Sequence, residues 1–91
     1  MNISMEKVVS EFIARVDGLE FSIKGRITEL LDVETDKKYY WSVSHYYSPS
    51  ENARSYSPSV RSTQTLKEAE FLLFAYLRSF TTIEVTTNEY F

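Results

Sequence analysis

The sequence contains no cysteine, and this absence excludes several kinds of chemistry. Without a thiol group the chain has no disulfide, no thiolate zinc site and no cysteine nucleophile. Glycine occurs only at Gly18 and Gly25, so no glycine-rich loop is available to bind phosphate groups. The single histidine and the scattered carboxylates lack the spacings typical of zinc or calcium sites. We therefore predict no cofactor and no metal site.

Long apolar segments are missing as well. The densest one, residues 71–77, is too short to cross a bilayer. Residues 1–16 mix acidic with apolar side chains, which does not match a signal peptide. The net charge of −3 is too small to indicate a cationic partner, and it disfavours nucleic acid. We expect a soluble, cytoplasmic protein that does not contact membranes.

The composition is that of one folded domain. Of the 91 residues, 43% are hydrophobic and 15% are aromatic, which supplies a core. We predict a single domain over residues 1–91. Residues 48–63 form an exposed loop rich in serine and proline, in which the tetrapeptide Tyr-Ser-Pro-Ser occurs twice, at 47–50 and 56–59.

Hydrophobic periodicity predicts a helix first and then two strands. A helix over residues 5–16 follows from apolar residues spaced by three and four, with Gly18 after its end. Alternation with a period of two then predicts strands over 19–33 and 38–47, joined by a turn at 34–37. The residues of the helical stripe are Met5, Val8, Val9, Phe12, Ile13 and Val16.

A three-residue loop at 35–37 brings the apolar faces of these two strands together. In that register Gly25 faces Tyr47, whose ring would cover the bare backbone. The other expected pairs are Val33 with Tyr39, Leu31 with Trp41, and Ile27 with His45.

A second helix begins after Thr65, because Thr65 and Glu68 form a capping-box pattern, and it extends to about Phe80. A short edge strand within 54–61 and a final strand over 81–87 complete the order α-β-β-(β)-α-β. The predicted fold is a small two-layer α+β domain, with a mainly antiparallel sheet and two helices packed on one face.

The outer side of the second helix is the first candidate site. The arc that faces the sheet consists of the apolar residues Leu66, Ala69, Leu72, Leu73, Tyr76, Leu77 and Phe80. The apolar residues of the outer side lie outside this arc, which predicts self-association into a homodimer. The alternative is that the first helix or the 48–63 loop covers them within the same chain. The interface candidates are Phe71, Phe74, Ala75 and Arg78.

Two further candidate groups lie on the strands and the loop. Glu29 is diagonal to His45 in the predicted register, so the two could share a proton, or form only a structural ion pair. Aromatic and basic side chains form the other group, which could contact a protein or stack on bases. Its members are Tyr40, Tyr46, Arg54 and Arg61.

The sequence favours a non-enzymatic binding or interaction module that acts as a homodimer with a protein partner. No nucleophile, second acid or oxyanion donor accompanies Glu29 and His45, so we expect no enzymatic activity. Two alternatives remain open. The first is a module that binds single-stranded nucleic acid through the aromatic strand and the loop arginines. The second is a small enzyme or ligand-binding protein centred on Glu29 and His45.

Overall fold

The structure is a computed structural model that describes residues 4–31 and 34–91. Within these residues the chain forms a small compact domain with antiparallel strands and one helix. The strands are β1 (Glu6–Ala14), β2 (Ile23–Leu30), β3 (Tyr39–Val43), β4 (His45–Tyr46), β5 (Ser62–Thr63) and β6 (Thr86–Thr87), and the helix is α1 (Leu66–Arg78).

The strands form a larger and a smaller sheet. The larger sheet has four antiparallel strands in the order β1-β2-β3-β5. The smaller sheet pairs β4 with β6, also antiparallel. The helix packs on one face of the larger sheet, where Leu73 lies over Gly25 of β2 and Tyr76 contacts the indole of Trp41 on β3.

The predicted helix over residues 5–16 is wrong, because this segment contains strand β1. Val8, Val9 and Ile13 are β-branched, and pairing with β2 stabilises the extended chain more than the helical spacing does. A bulge between Val8 and Ser10 interrupts the pairing. The apolar side chains are consequently divided between two faces: Phe12 packs against Phe74 of α1, whereas Val8 and Ile13 are exposed. Over residues 4–31 and 34–91, the predicted order with two helices is corrected to five strands, one helix and a last strand.

The register between β2 and β3 also differs from the expected one. Ile27 pairs with Trp41 rather than with His45, which is a shift of four residues. The reason is a longer connection, since residues 31–38 separate the strands and Leu30 N donates to Lys38 O at 2.8 Å. An even shift keeps the same residues on the same face, so the predicted buried face is retained. The expected partner of Tyr39, Val33, lies outside the described residues.

The predicted strand over 38–47 is divided at Ser44. Ser44 N donates to Lys24 O, and Lys24 N donates to the Ser44 hydroxyl. These two hydrogen bonds hold Ser44 against β2. The chain then leaves the larger sheet, and β4 pairs with β6 at the end of the predicted strand 81–87. The expected edge strand within 54–61 is replaced by β5, which begins one residue later.

The core lies between the larger sheet and α1, as the apolar arc of the helix predicts. The buried cluster consists of Ile27, Trp41, Val43, Tyr47, Ala69, Leu73 and Tyr76. The predicted start of the helix is confirmed, because Thr65 is the N-cap and its hydroxyl accepts from Glu68 N at 3.2 Å. The same hydroxyl donates to the Glu68 carboxylate at 3.0 Å. Gly25 faces Val43, and Leu73 rather than Tyr47 covers it. Among the described residues, no helix is long and apolar enough to cross a membrane.

Candidate functional site

The outer side of α1 is exposed along a regular row of four residues. Phe71 keeps 72% of its surface exposed, which is unusual for a phenylalanine. Glu68, Ala75 and Arg78 are exposed on the same side. Their spacing of three, four and three residues places them in one line along the helix, as in the contact line of a coiled coil. We call Glu68, Phe71, Ala75 and Arg78 the helix seam.

Phe74, the remaining interface candidate, is not part of the seam. Its ring contacts Phe12 of β1 edge to face, with 4.8 Å between the ring centroids. The guanidinium of Arg78 lies 5.9 Å from the centre of the same ring. Phe74 is therefore half-buried within the domain, and strand β1 provides the cover that we considered for the first helix.

Shallow clefts flank the helix seam on both sides. The 56–60 segment and α1 enclose a cleft of 310 Å³ that no charged side chain lines. A second cleft, of 230 Å³, lies between β1 and α1. The first is lined by Trp41, Tyr56, Pro58, Ser59, Val60, Leu72, Ala75, Tyr76 and Ser79, and the second by Phe12, Ile13, Phe74, Leu77 and Arg78.

The structure brings together three of the four partner-contact candidates. Arg61 Nη1 donates to the Tyr40 hydroxyl at 3.5 Å, and its guanidinium lies 5.9 Å from the centre of the Tyr46 ring. The hydrogen bond to Tyr40 raises the pKa of the Arg61 guanidinium, so the group is a permanent cation. Arg54 is exposed elsewhere in the loop. Arg61 and Tyr46 also line a cavity of 420 Å³ together with Tyr90, which is 95% exposed.

Glu29 and His45 occupy different surroundings. In the observed register Glu29 lies opposite Tyr39, and its carboxylate is 3.3 Å from Lys38 Nζ. His45 Nδ1 is 2.8 Å from the Ser44 hydroxyl, and the ring stacks on Phe21 at 4.7 Å. Burial lowers the pKa of the His45 imidazole, which favours the neutral ring at pH 7. This geometry does not support a proton-transfer pair.

The tyrosines of the repeated tetrapeptide meet in the fold, which the sequence analysis did not anticipate. Tyr47 and Tyr56 form an antiparallel bridge, and both rings contact Tyr76 of α1. The Tyr76 hydroxyl donates to Tyr56 O at 2.5 Å, and burial raises its pKa. The repeat was the sequence signal for this cluster, because it places one tyrosine at each end of the segment 48–55, where the two ends can pair.

Comparison with known proteins identifies no relative of this chain. No family model matches it, and neither a curated protein nor a solved structure does. Within the residues that the structure describes, no group of three or more histidine, aspartate or glutamate side chains is arranged to hold a metal ion.

Proposed function

We propose that the protein is a small, non-enzymatic interaction module that acts as a homodimer through the helix seam. The observation that carries this proposal is the exposure of Phe71 in a row with Glu68, Ala75 and Arg78. A large exposed apolar side chain at the centre of a polar rim is typical of a protein interface. A cytoplasmic location belongs to the same proposal, and the absence of cysteine is compatible with it.

The helix seam is complementary to a second copy of itself. If two helices pack antiparallel about a two-fold axis between Phe71 and Ala75, each Phe71 lies against the other copy's Ala75. The same axis sets Glu68 opposite the other copy's Arg78 at both ends. The large side chain meets a small one, and each acid meets a base. A parallel arrangement would instead place like charges together, so the charges favour the antiparallel pair.

The size of the seam indicates a modest affinity. Burial of one phenylalanine side chain contributes roughly 1.5–3 kcal/mol, and the two-fold axis doubles this gain. The helix has 13 residues and therefore spans only about 20 Å, which limits the area of the interface. Loss of translational freedom offsets much of the gain. We expect a dimer that dissociates on dilution, and the sheet face on the other side of the domain stays free for a protein partner.

The substitution Phe71→Glu tests the seam, because it places two carboxylates at the centre of the proposed interface. Sedimentation velocity should show a folded monomer at concentrations at which the wild-type protein is dimeric. Phe74 is not a suitable test position, since its contact with Phe12 contributes to the fold.

Val8→Glu is the matched control. Val8 is an exposed apolar residue of β1, away from the helix seam, and 52% of its surface is exposed. This variant should remain dimeric. If Phe71→Glu stays dimeric, or if Val8→Glu dissociates the dimer instead, the helix seam is not the interface.

A second candidate function is binding of single-stranded nucleic acid, favoured by the grouping of Tyr46, Arg61 and the exposed Tyr90 around one cavity. Rings of this kind can stack on bases, while the guanidinium contacts a phosphate. Glu89 lines the same cavity and opposes an anionic ligand.

Fluorescence anisotropy with a labelled thymidine oligonucleotide tests this candidate. Binding should weaken strongly as salt is added, and Tyr90→Ala should reduce it while Phe71→Glu should not. No binding at low salt, or equal binding by Tyr90→Ala, removes nucleic acid as a ligand of this cavity.

A further inference from the structure

The two Ser-Pro pairs of the repeated tetrapeptide have identical sequences but opposite environments. Ser48 is completely buried, with 0% of its surface exposed, and its hydroxyl lies 3.3 Å from Ala53 O. Ser57 is exposed in the loop. An enzyme that modifies serine can therefore reach Ser57 once the 57–60 segment lifts from the surface, whereas Ser48 would require its core contacts to open.

A fixed cation lies beside the exposed hydroxyl. Arg61 Nη2 donates to the Ser57 hydroxyl at 2.9 Å, and Arg61 Nε donates to Pro58 O at 3.0 Å. The backbone of Arg61 is anchored to the larger sheet, because its carbonyl accepts from Trp41 N at 2.9 Å. The guanidinium is thus held in place before any negative charge arrives, and holding a group in its bound position lowers the cost of binding.

We propose that Ser57 is a phosphorylation site and that Arg61 binds the phosphate added there. In the reaction the Ser57 Oγ attacks the terminal phosphorus of a nucleoside triphosphate. A new bond forms between Oγ and phosphorus, and the bond between phosphorus and the bridging oxygen breaks. Nucleoside diphosphate leaves, and the hydroxyl proton passes to the catalytic base of the kinase.

The product is a dianion next to a permanent cation. A phosphoserine carries about −1.5 to −2 charges at pH 7 and three acceptor oxygens. Arginine binds such a group through two parallel hydrogen bonds between opposite charges, which are stronger than the present bond to a neutral hydroxyl. Because Arg61 also contacts Tyr40 and Tyr46, the phosphate would join the loop to the larger sheet and to β4.

The buried ring of Pro58 controls access to the site. Pro58 lines the cleft against α1, so the 57–60 segment must lift before a kinase can bind both Ser57 and Pro58. The two hydrogen bonds from Arg61 to this segment oppose the lifting. Arg61→Gln loses these hydrogen bonds and should therefore increase the rate of phosphorylation. We expect an increase of about fivefold, which corresponds to the net stabilisation from one hydrogen bond.

The first experiment treats the intact protein with a proline-directed serine kinase and ATP and locates the phosphate by mass spectrometry. Phosphate should appear on Ser57 and not on Ser48, and Ser57→Ala should abolish incorporation. Circular dichroism confirms that each variant is folded. Phosphate on Ser48 in the folded protein, or none on Ser57, would overturn the proposal.

A second experiment tests the role of Arg61 without relying on a kinase. Phosphoserine is introduced at position 57 by semisynthesis, and at position 59 as the matched control, because Ser59 is exposed in the same segment. Phosphate at 57 should raise Tm by about 4 °C, and Arg61→Gln should cancel this rise. Equal shifts at 57 and 59, or a rise that survives Arg61→Gln, would show that Arg61 does not bind the phosphate.

Discussion

Close packing between β2 and α1 is possible because Gly25 has no side chain. A Cβ atom at this position would lie 2.9 Å from Leu73 Cδ1, which is closer than the van der Waals contact of two carbons. Leu73 is fully buried and cannot move away without disturbing the core. At the residue scale, glycine at position 25 sets the distance between the helix and the sheet.

Gly25→Ala should lower the free energy of unfolding by about 1–3 kcal/mol, since overpacking displaces Leu73 or the helix. Urea unfolding followed by the fluorescence of Trp41 measures this change, because Trp41 is 2% exposed and becomes solvated on unfolding. Lys24→Ala, on the opposite face of β2, is the control and should change stability by less than 0.5 kcal/mol, roughly the range of surface substitutions.

A double variant at positions 25 and 73 provides a further check on this explanation. In the double variant Gly25→Ala, Leu73→Ala the added methyl group meets a smaller neighbour. The total destabilisation should therefore be smaller than the sum of the two single effects. If the effects simply add, the clash with Leu73 is not the reason that glycine occupies position 25.

At the scale of secondary-structure elements, α1 and β2 were predictable because their signals agree with the tertiary structure. The capping box at Thr65 and the apolar arc on α1 both indicate one helix in one orientation. The alternation of Ile23, Gly25 and Ile27 likewise indicates one buried face. Of the candidate residues on α1, Phe71, Ala75 and Arg78 are exposed, whereas strand β1 covers Phe74.

Strand β1 and the β2–β3 register were not predictable from local pattern. The apolar spacing of residues 5–16 fits a helix, and only pairing with β2 together with the bulge at Val8–Ser10 makes it a strand. A shift of register by an even number of residues preserves the buried face, so hydrophobic pattern cannot distinguish the two registers. The error in register produced the expected Glu29–His45 pair.

Charge reversal on α1 provides an element-scale prediction for the helix seam. Glu68→Arg alone, or Arg78→Glu alone, places like charges together at both ends of the antiparallel pair. Each should raise the Kd for dimer formation by about tenfold, given about 0.7 kcal/mol for each exposed pair. The double variant Glu68→Arg, Arg78→Glu restores opposite charges and should regain most of the affinity.

The thermal stability of the same variants separates dimerisation from helix stability. Glu68→Arg also removes the hydrogen bond from the Thr65 hydroxyl to the Glu68 carboxylate, and it replaces an acid by a base in the first turn of α1. The double variant restores neither. The thermal stability should therefore stay reduced in Glu68→Arg and in the double variant, while the affinity of dimer formation returns only in the double variant. A double variant that dimerises as weakly as the single ones would show that Glu68 and Arg78 do not face each other.

At the scale of the whole molecule, the part of the chain that the structure describes has one helix to cover the larger sheet and no second layer over that helix. A two-layer domain of 91 residues exposes much of its apolar surface, and here an exposed phenylalanine lies at the centre of the outer helix face. In the proposed homodimer, a second copy would cover this face with a surface of matching size and charge. If the helix seam is the proposed interface, the wild-type protein must self-associate.

Sedimentation equilibrium of the wild-type protein, from low to high micromolar concentration, tests this requirement most directly. The predicted result is an average mass that rises with concentration from 10.7 kDa towards twice that value. A mass that stays at the monomer value throughout the range would contradict the proposed homodimer.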